Sequence, residues 1–93
     1  MNIYAIVLPE EQIEHIARHN VTPEEFEEVC FGQSLVLRTK AHGPSPVYQV
    51  LGQTASGDYV ICVVIAMAGG TGYPVTARPM TLKEKRRYMQ WRK

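Results

Sequence analysis

The sequence predicts one α+β domain that spans residues 1–93, with the element order β-α-α-β-β-β-β-α. Helical spacing of apolar residues is confined to the segments before Gly32 and after Thr81, whereas the segment between them consists of β-branched runs separated by turns. No strand–helix–strand alternation follows the first strand, which argues against a parallel sheet. We therefore expect an antiparallel sheet packed by the N-terminal helices and by the C-terminal helix.

The N-terminal third predicts one strand and two helices. Residues 2–8 are rich in β-branched and aromatic side chains and predict a strand. A helix then begins at Pro9 with acids in its first turn, and it should end near His19 and Asn20. The second helix follows Thr22, which forms a capping box with the glutamate three residues later. Gly32 should end that helix in a left-handed conformation.

The remaining elements are four strands and a helix. The predicted strands cover residues 34–38, 47–53, 59–68 and 74–78, with turns at 54–58 and 69–72. The run at 59–68 predicts a central strand buried on both faces, with Ile61, Val63 and Ile65 on one face and Cys62, Val64 and Ala66 on the other. A second capping box at Thr81 begins the last helix, which should run to near residue 93.

Charge is segregated along the chain. Residues 1–34 hold one base and seven acids, whereas residues 35–93 hold nine bases and two acids. Six of the ten bases lie in the last eleven residues. This asymmetry indicates a polyanion or an acidic protein as partner of the basic half, and the alternative is a solvated helix face.

The sequence lacks the features that several classes of protein and of binding site require. The longest apolar run has ten residues, about half of a membrane-spanning helix, and the first eight residues do not resemble a secretory signal. Cys30 and Cys62 lie in apolar runs, which predicts buried thiols in a cytoplasmic protein. The glycine cluster at 69–72 lacks the lysine of a phosphate loop. His15 and His19 lack a third ligand, so we expect no metal and no cofactor.

The second half of the sequence carries side chains of the types that can bind and cleave a phosphodiester. Guanidinium and ammonium groups stabilise the charge of a phosphorane, and a phenol or imidazole can relay protons. RNA can be cleaved in this way without a metal, because the ribose 2′-hydroxyl is the nucleophile. The side chains of this kind are Arg38, Lys40, His42, Tyr48, Arg78, Lys83, Arg87 and Tyr88.

Three segments resemble motifs of the BrnT-type toxins of bacterial type II toxin–antitoxin systems. Residues 19–25 (H-N-V-T-P-E-E) resemble their H-G-[VI]-[ST]-x-E-E segment, with Asn20 in place of the glycine. Residues 48–57 are similar to their Y-x-x-x-G-x-T-x-x-G hairpin. Residues 75–88 resemble their closing [IV]-[IST]-A-R-x-[AM]-T-x-x-E-R-x-x-Y signature. The resemblance implies a RelE-like fold, metal-independent ribonuclease activity in the cytoplasm, and neutralisation by a cognate antitoxin protein.

The interpretation is an endoribonuclease that acts on single-stranded or ribosome-associated RNA, and the candidate site residues follow from it. Arg78 would hold the scissile phosphate, and Tyr88 would donate a proton to the leaving oxygen or stack a base. The further candidates are Arg38, His42, Lys83 and Arg87, and His19 enters by resemblance alone. As assemblies we expect a homodimer or a toxin–antitoxin hetero-oligomer. Two alternatives stay open: a module of this fold that binds nucleic acid or protein without cleavage, and a structural domain with a solvated basic tail.

Overall fold

The structure, a computed structural model, describes residues 1–40 and 43–93 and confirms a compact α+β fold. The elements are β1 (Ala5–Ile6), α1 (Glu10–Ala17), α2 (Pro23–Phe31), β2 (Leu35–Arg38), β3 (Val47–Gln53), β4 (Tyr59–Met67), β5 (Thr71–Pro79) and α3 (Leu82–Arg92). A short 3-10 turn, Ala68–Gly70, joins β4 to β5. No helix within the described ranges is both long enough and apolar enough to cross a bilayer.

The sheet is mixed, so the prediction of a wholly antiparallel sheet is wrong at one strand. The strand order is β1-β5-β4-β3-β2, and the neighbours from β5 to β2 are antiparallel. The edge strand β1 is parallel to β5. It is also shorter than the predicted strand at 2–8, because α1 lies beside the rest of β5. There Gln12 Nε2 is 3.3 Å from the Tyr73 hydroxyl, and His15 Nε2 is 3.0 Å from Thr76 Oγ1.

Local sequence explains the helix ends. Both predicted capping boxes are present, at Thr22 for α2 and at Thr81 for α3. Asn20, which follows the last turn of α1, has a φ of 63°, a left-handed conformation that asparagine tolerates better than most residues. Gly32 has a φ of −91°, so the prediction of a left-handed end to α2 is wrong. Glycine is needed there for space, because a Cβ would lie 2.6 Å from the carbonyl oxygen of Glu28.

The two faces of the sheet carry cores of unequal size. The larger core lies under α1 and α2, where Phe26 and Val29 pack with Val50, Cys62 and Val64. The Cys30 and Cys62 thiols also lie in this core, and the hydrogen bond between them and the burial both raise the pKa of Cys62. The other face holds a small core, whose buried members are Leu51, Ile61 and Tyr88.

The central strand is therefore not buried evenly on both faces. Cys62 and Val64 are buried as predicted and Ala66 is half-buried, whereas on the opposite face only Ile61 is buried. Val63 and Ile65 are half-buried, because α3 contacts β2 and β3 and covers only part of that face. The strands beside the start of α3 consequently border an open cleft.

Candidate anion-binding cleft

The cleft lies between the first turns of α3 and the sheet, and its volume is about 250 Å³. Its sheet side is lined by Leu37, Gln49, Leu51 and Ile61. Its helix side is lined by Thr81, Lys83, Glu84 and Arg87. An apolar floor with charged groups along one wall is an arrangement that orients an anionic ligand.

Arg78, near the end of β5, lies beside this cleft and is bound to Glu84, one of the residues that line it. Its pairing with Ile61 places it on the α3 side of the sheet. The guanidinium donates two hydrogen bonds to the Glu84 carboxylate, at 2.8 and 2.9 Å, and one to the Pro79 carbonyl at 3.2 Å. Its side chain remains 41% exposed, so part of the planar fork still faces solvent.

Glu84 couples Arg78 to the helix cap. Its Oε1 atom accepts a hydrogen bond of 2.8 Å from the Thr81 backbone N–H, and its own N–H donates to Thr81 Oγ1 at 3.2 Å. The Arg78 hydrogen bonds lower the pKa of Glu84, with a further contribution from Thr81, and they raise the pKa of Arg78. Both side chains are therefore charged at neutral pH. Lys83 and Arg87, which line the cleft, and Arg78 beside it still outnumber this one carboxylate.

Tyr88 lies behind the cleft in the small core and does not line it. Only 1% of the residue is exposed, and its ring packs edge-on against Tyr59. Its hydroxyl donates a 2.8 Å hydrogen bond to the Gln33 carbonyl. With its proton directed at a backbone oxygen, Tyr88 serves as a structural anchor between α3 and the segment before β2. This placement argues against the role of proton donor.

The remaining candidates do not converge on the cleft. Arg38 pairs with Tyr48, a residue that packs against the core under α1 and α2, so Arg38 lies on the opposite face from Arg78. His19 is exposed after the end of α1, with its ring 5.6 Å from that of His15. His42 lies outside the described residues. Within the described ranges, no group of three metal-ligating side chains comes together.

Sequence reasoning recognised Glu84 only as a cap and did not recognise Gln49 at all as a cleft residue. A signal for Glu84 was available, because the third residue of a capped helix turns back toward the strand end that precedes the cap. Gln49 carries no local signal, since its place depends on where α3 packs. No protein-family model, no curated protein and no solved structure gives a significant match to this chain.

Proposed function

We propose that this chain is a small endoribonuclease of the RelE-like toxin type, which acts on RNA without a metal. The observation that supports it is a cleft beside the N-terminus of α3 that Lys83 and Arg87 line, with Arg78 next to it and bound to the lining residue Glu84. Backbone amides at a helix N-terminus and flanking guanidinium groups both attract phosphate. In this role the protein would work in the cytoplasm and would require a cognate antitoxin as partner.

The cleavage step uses the RNA's own nucleophile. A phosphodiester lies against Lys83, Arg87 and the exposed edge of Arg78. The 2′-oxygen bonds to phosphorus, the bond to the 5′-oxygen breaks, and a 2′,3′-cyclic phosphate remains. The cations stabilise the extra negative charge of the phosphorane. Because the cleft is open to solvent, water can accept the 2′-hydroxyl proton and supply the proton that the 5′-oxygen needs.

Cleavage of a defined RNA in the presence of a chelator tests the proposal. We expect products that end in a 2′,3′-cyclic phosphate or a 3′-phosphate, and survival of a substrate with a 2′-O-methyl group at the cut position. Because Arg78→Gln removes the planar guanidinium group, this substitution should slow cleavage about 10²–10³-fold. Arg78→Lys should also be impaired, because an ammonium cannot hold two phosphate oxygens in a plane.

Arg38→Gln is the matched control, since it removes the same guanidinium from the opposite face of the sheet. It should cut like the parent protein. An Arg78→Gln protein that melts at a lower temperature but cuts at the parent rate would contradict the catalytic assignment and leave Arg78 a purely structural role.

A second candidate function is RNA binding without cleavage. Two observations favour it: Glu84 already fills much of the Arg78 fork, and the Tyr88 hydroxyl is engaged with the backbone. In that case the RNA remains intact while its binding weakens with salt, with a log–log slope of about −0.7 for each neutralised phosphate. Product analysis therefore separates the two functions.

A further inference from the structure

Within residues 1–40 and 43–93, almost all charged side chains lack an ion-pair partner. The sequence has ten Lys and Arg and nine Asp and Glu, yet Arg78 and Glu84 form the one ion pair found in the part of the chain that the structure describes. The acids concentrate on α1 and α2, which cover one face of the sheet, and the bases concentrate on α3, which covers the other. Opposite faces of one molecule therefore carry opposite charge.

The basic face of α3 also carries exposed apolar side chains. Tyr88 points inward, and a set of residues along one flank of the helix recurs at intervals of three and four, as one helical face requires. At the inner edge of this flank the Lys85 ammonium lies 4.3 Å from the centre of the Tyr59 ring. We call this set the α3 outer face; it consists of Leu82, Lys85, Arg86, Met89, Gln90 and Lys93, which line a shallow groove of about 380 Å³. Leu82 is 64% exposed and Met89 is 44% exposed, although apolar side chains of this size are usually buried.

The outward side of α2 has the complementary composition. Phe26, Val29 and Cys30 face the core, so the helical period places Glu24, Glu27 and Phe31 outward. We call these three residues the α2 outer face. Both glutamates are exposed, and Phe31 is 47% exposed. Each of these two faces thus presents charge of one sign around an exposed apolar group.

We propose that this chain self-associates head to tail, with the α2 outer face of one copy docked on the α3 outer face of the next. Phe31 covers Leu82 and Met89, and the α2 glutamates pair with Lys85 and Arg86. RNA on the same face would neutralise the cations but would leave Leu82 and Met89 in water. Such a contact uses two different surfaces, so it is heterologous and propagates along a chain of copies. A contact between two short helices buries less surface than a standard stable interface, so we expect the association to be weak and to depend on salt.

Sedimentation velocity over a concentration series, on nuclease-treated protein, tests the proposal. At low salt the weight-average mass should rise above the 10.5 kDa of one chain, and added salt should lower it. Lys85→Glu with Arg86→Glu places acid against acid, and Glu24→Lys with Glu27→Lys places base against base. Either pair of substitutions should weaken association roughly tenfold.

Combining the two pairs in one chain gives the decisive variant, because the contact is restored with reversed polarity and the net charge equals that of the parent. It should associate again. The matched control joins Glu24→Lys and Glu27→Lys to Lys83→Glu and Arg87→Glu, which has the same net charge but reverses cations that face the cleft. It should associate roughly tenfold more weakly than the parent, as the Glu24→Lys and Glu27→Lys pair does alone.

Three results would overturn the proposal: a parent protein that is monomeric at every concentration, a combined variant that stays monomeric while circular dichroism shows it folded, or a control that associates equally well. The outcome does not depend on ribonuclease activity, so it can fail while the proposed function stands.

Discussion

Replacing Glu84 with glutamine separates the ion pair at the cleft from the helix cap. Glutamine serves in a capping box as glutamate does, so the hydrogen bond from the Thr81 N–H is retained. What is lost is the charge that faces Arg78 and the hydrogen bond that the second carboxylate oxygen accepts from it, because an amide nitrogen cannot accept that bond. Exposed ion pairs contribute about 0.2–1 kcal/mol. The two-bond geometry puts this pair near the upper end, while the 41% exposure of Arg78 keeps it from exceeding that range.

We therefore expect the free energy of unfolding of Glu84→Gln to fall by about 1 kcal/mol at neutral pH, which corresponds to a melting temperature lower by about 4–8 °C for a domain of this size. The difference from the parent should depend on pH. Arg78 lowers the pKa of Glu84 below its usual value of about 4.5, so the stabilisation is fully present above that pH. It is lost as the pH falls through the lowered value, because the native carboxylate then takes up a proton.

Urea unfolding followed by circular dichroism, at neutral and at strongly acid pH, measures both effects. Glu25→Gln is the matched control, since Glu25 holds the same position in the α2 capping box and has no ion pair in the described structure. It should change stability by less than about 0.5 kcal/mol. Equal losses in the two variants at neutral pH, or a Glu84→Gln loss that persists in strong acid, would refute the assignment of this stabilisation to the ion pair.

Two further predictions concern the Tyr88 anchor and two glycines, Gly72 in β5 and Gly69 in the turn before it. Tyr88→Phe should lower the free energy of unfolding by about 1 kcal/mol, because the Gln33 carbonyl loses its hydrogen-bond donor. RNA cleavage by this variant should continue at the parent rate. A cleavage rate lower by about 10²-fold or more would instead indicate that Tyr88 is the proton donor. Gly72→Ala should cost about 1–3 kcal/mol in urea unfolding, because its Cβ would lie 2.9 Å from three core side chains. Gly69→Ala meets no neighbour but has a φ of 80°, so its cost should stay at about 1–2 kcal/mol, and a loss at Gly69 larger than at Gly72 would contradict the packing argument.

Elements with a local physical cause could be predicted from the sequence. The two capping boxes depend on residues three positions apart, and both are present. The apolar run of β4 and the hairpin that joins it to β3 also have their causes in neighbouring residues. Non-local properties could not be predicted. The parallel direction of β1 depends on a partner near the other end of the chain, and nothing in residues 2–8 encodes it.

The candidate site shows the same distinction between local causes, which the sequence reveals, and non-local ones, which it does not. Lys83 and Arg87 line the cleft and Arg78 lies beside it, because a strand end and a capped helix are adjacent in sequence. Arg38 was placed with them on residue type alone, and the register of β2 puts it on the other face. Tyr88 was chosen as a proton donor or a base-stacking residue, but it is the one residue of α3 that the small core buries. On a helix with so few apolar residues, the residue that becomes buried is decided by the elements against which the helix packs.

The parallel pairing of β1 with β5 also has a consequence for how this chain folds during synthesis. Ala5 pairs with Thr71, and the backbone N–H of Tyr4 donates to the Gly70 carbonyl, so most of the chain must leave the ribosome before β1 has a partner. At synthesis rates of about 5–20 residues per second, β1 remains without its strand partner for several seconds. Contacts between residues so distant in sequence also form late, because loop closure costs entropy before any pairing stabilises it. The first strand to emerge is thus among the last to join the sheet, and Ile3 and Ile6 stay exposed to other chains in the meantime.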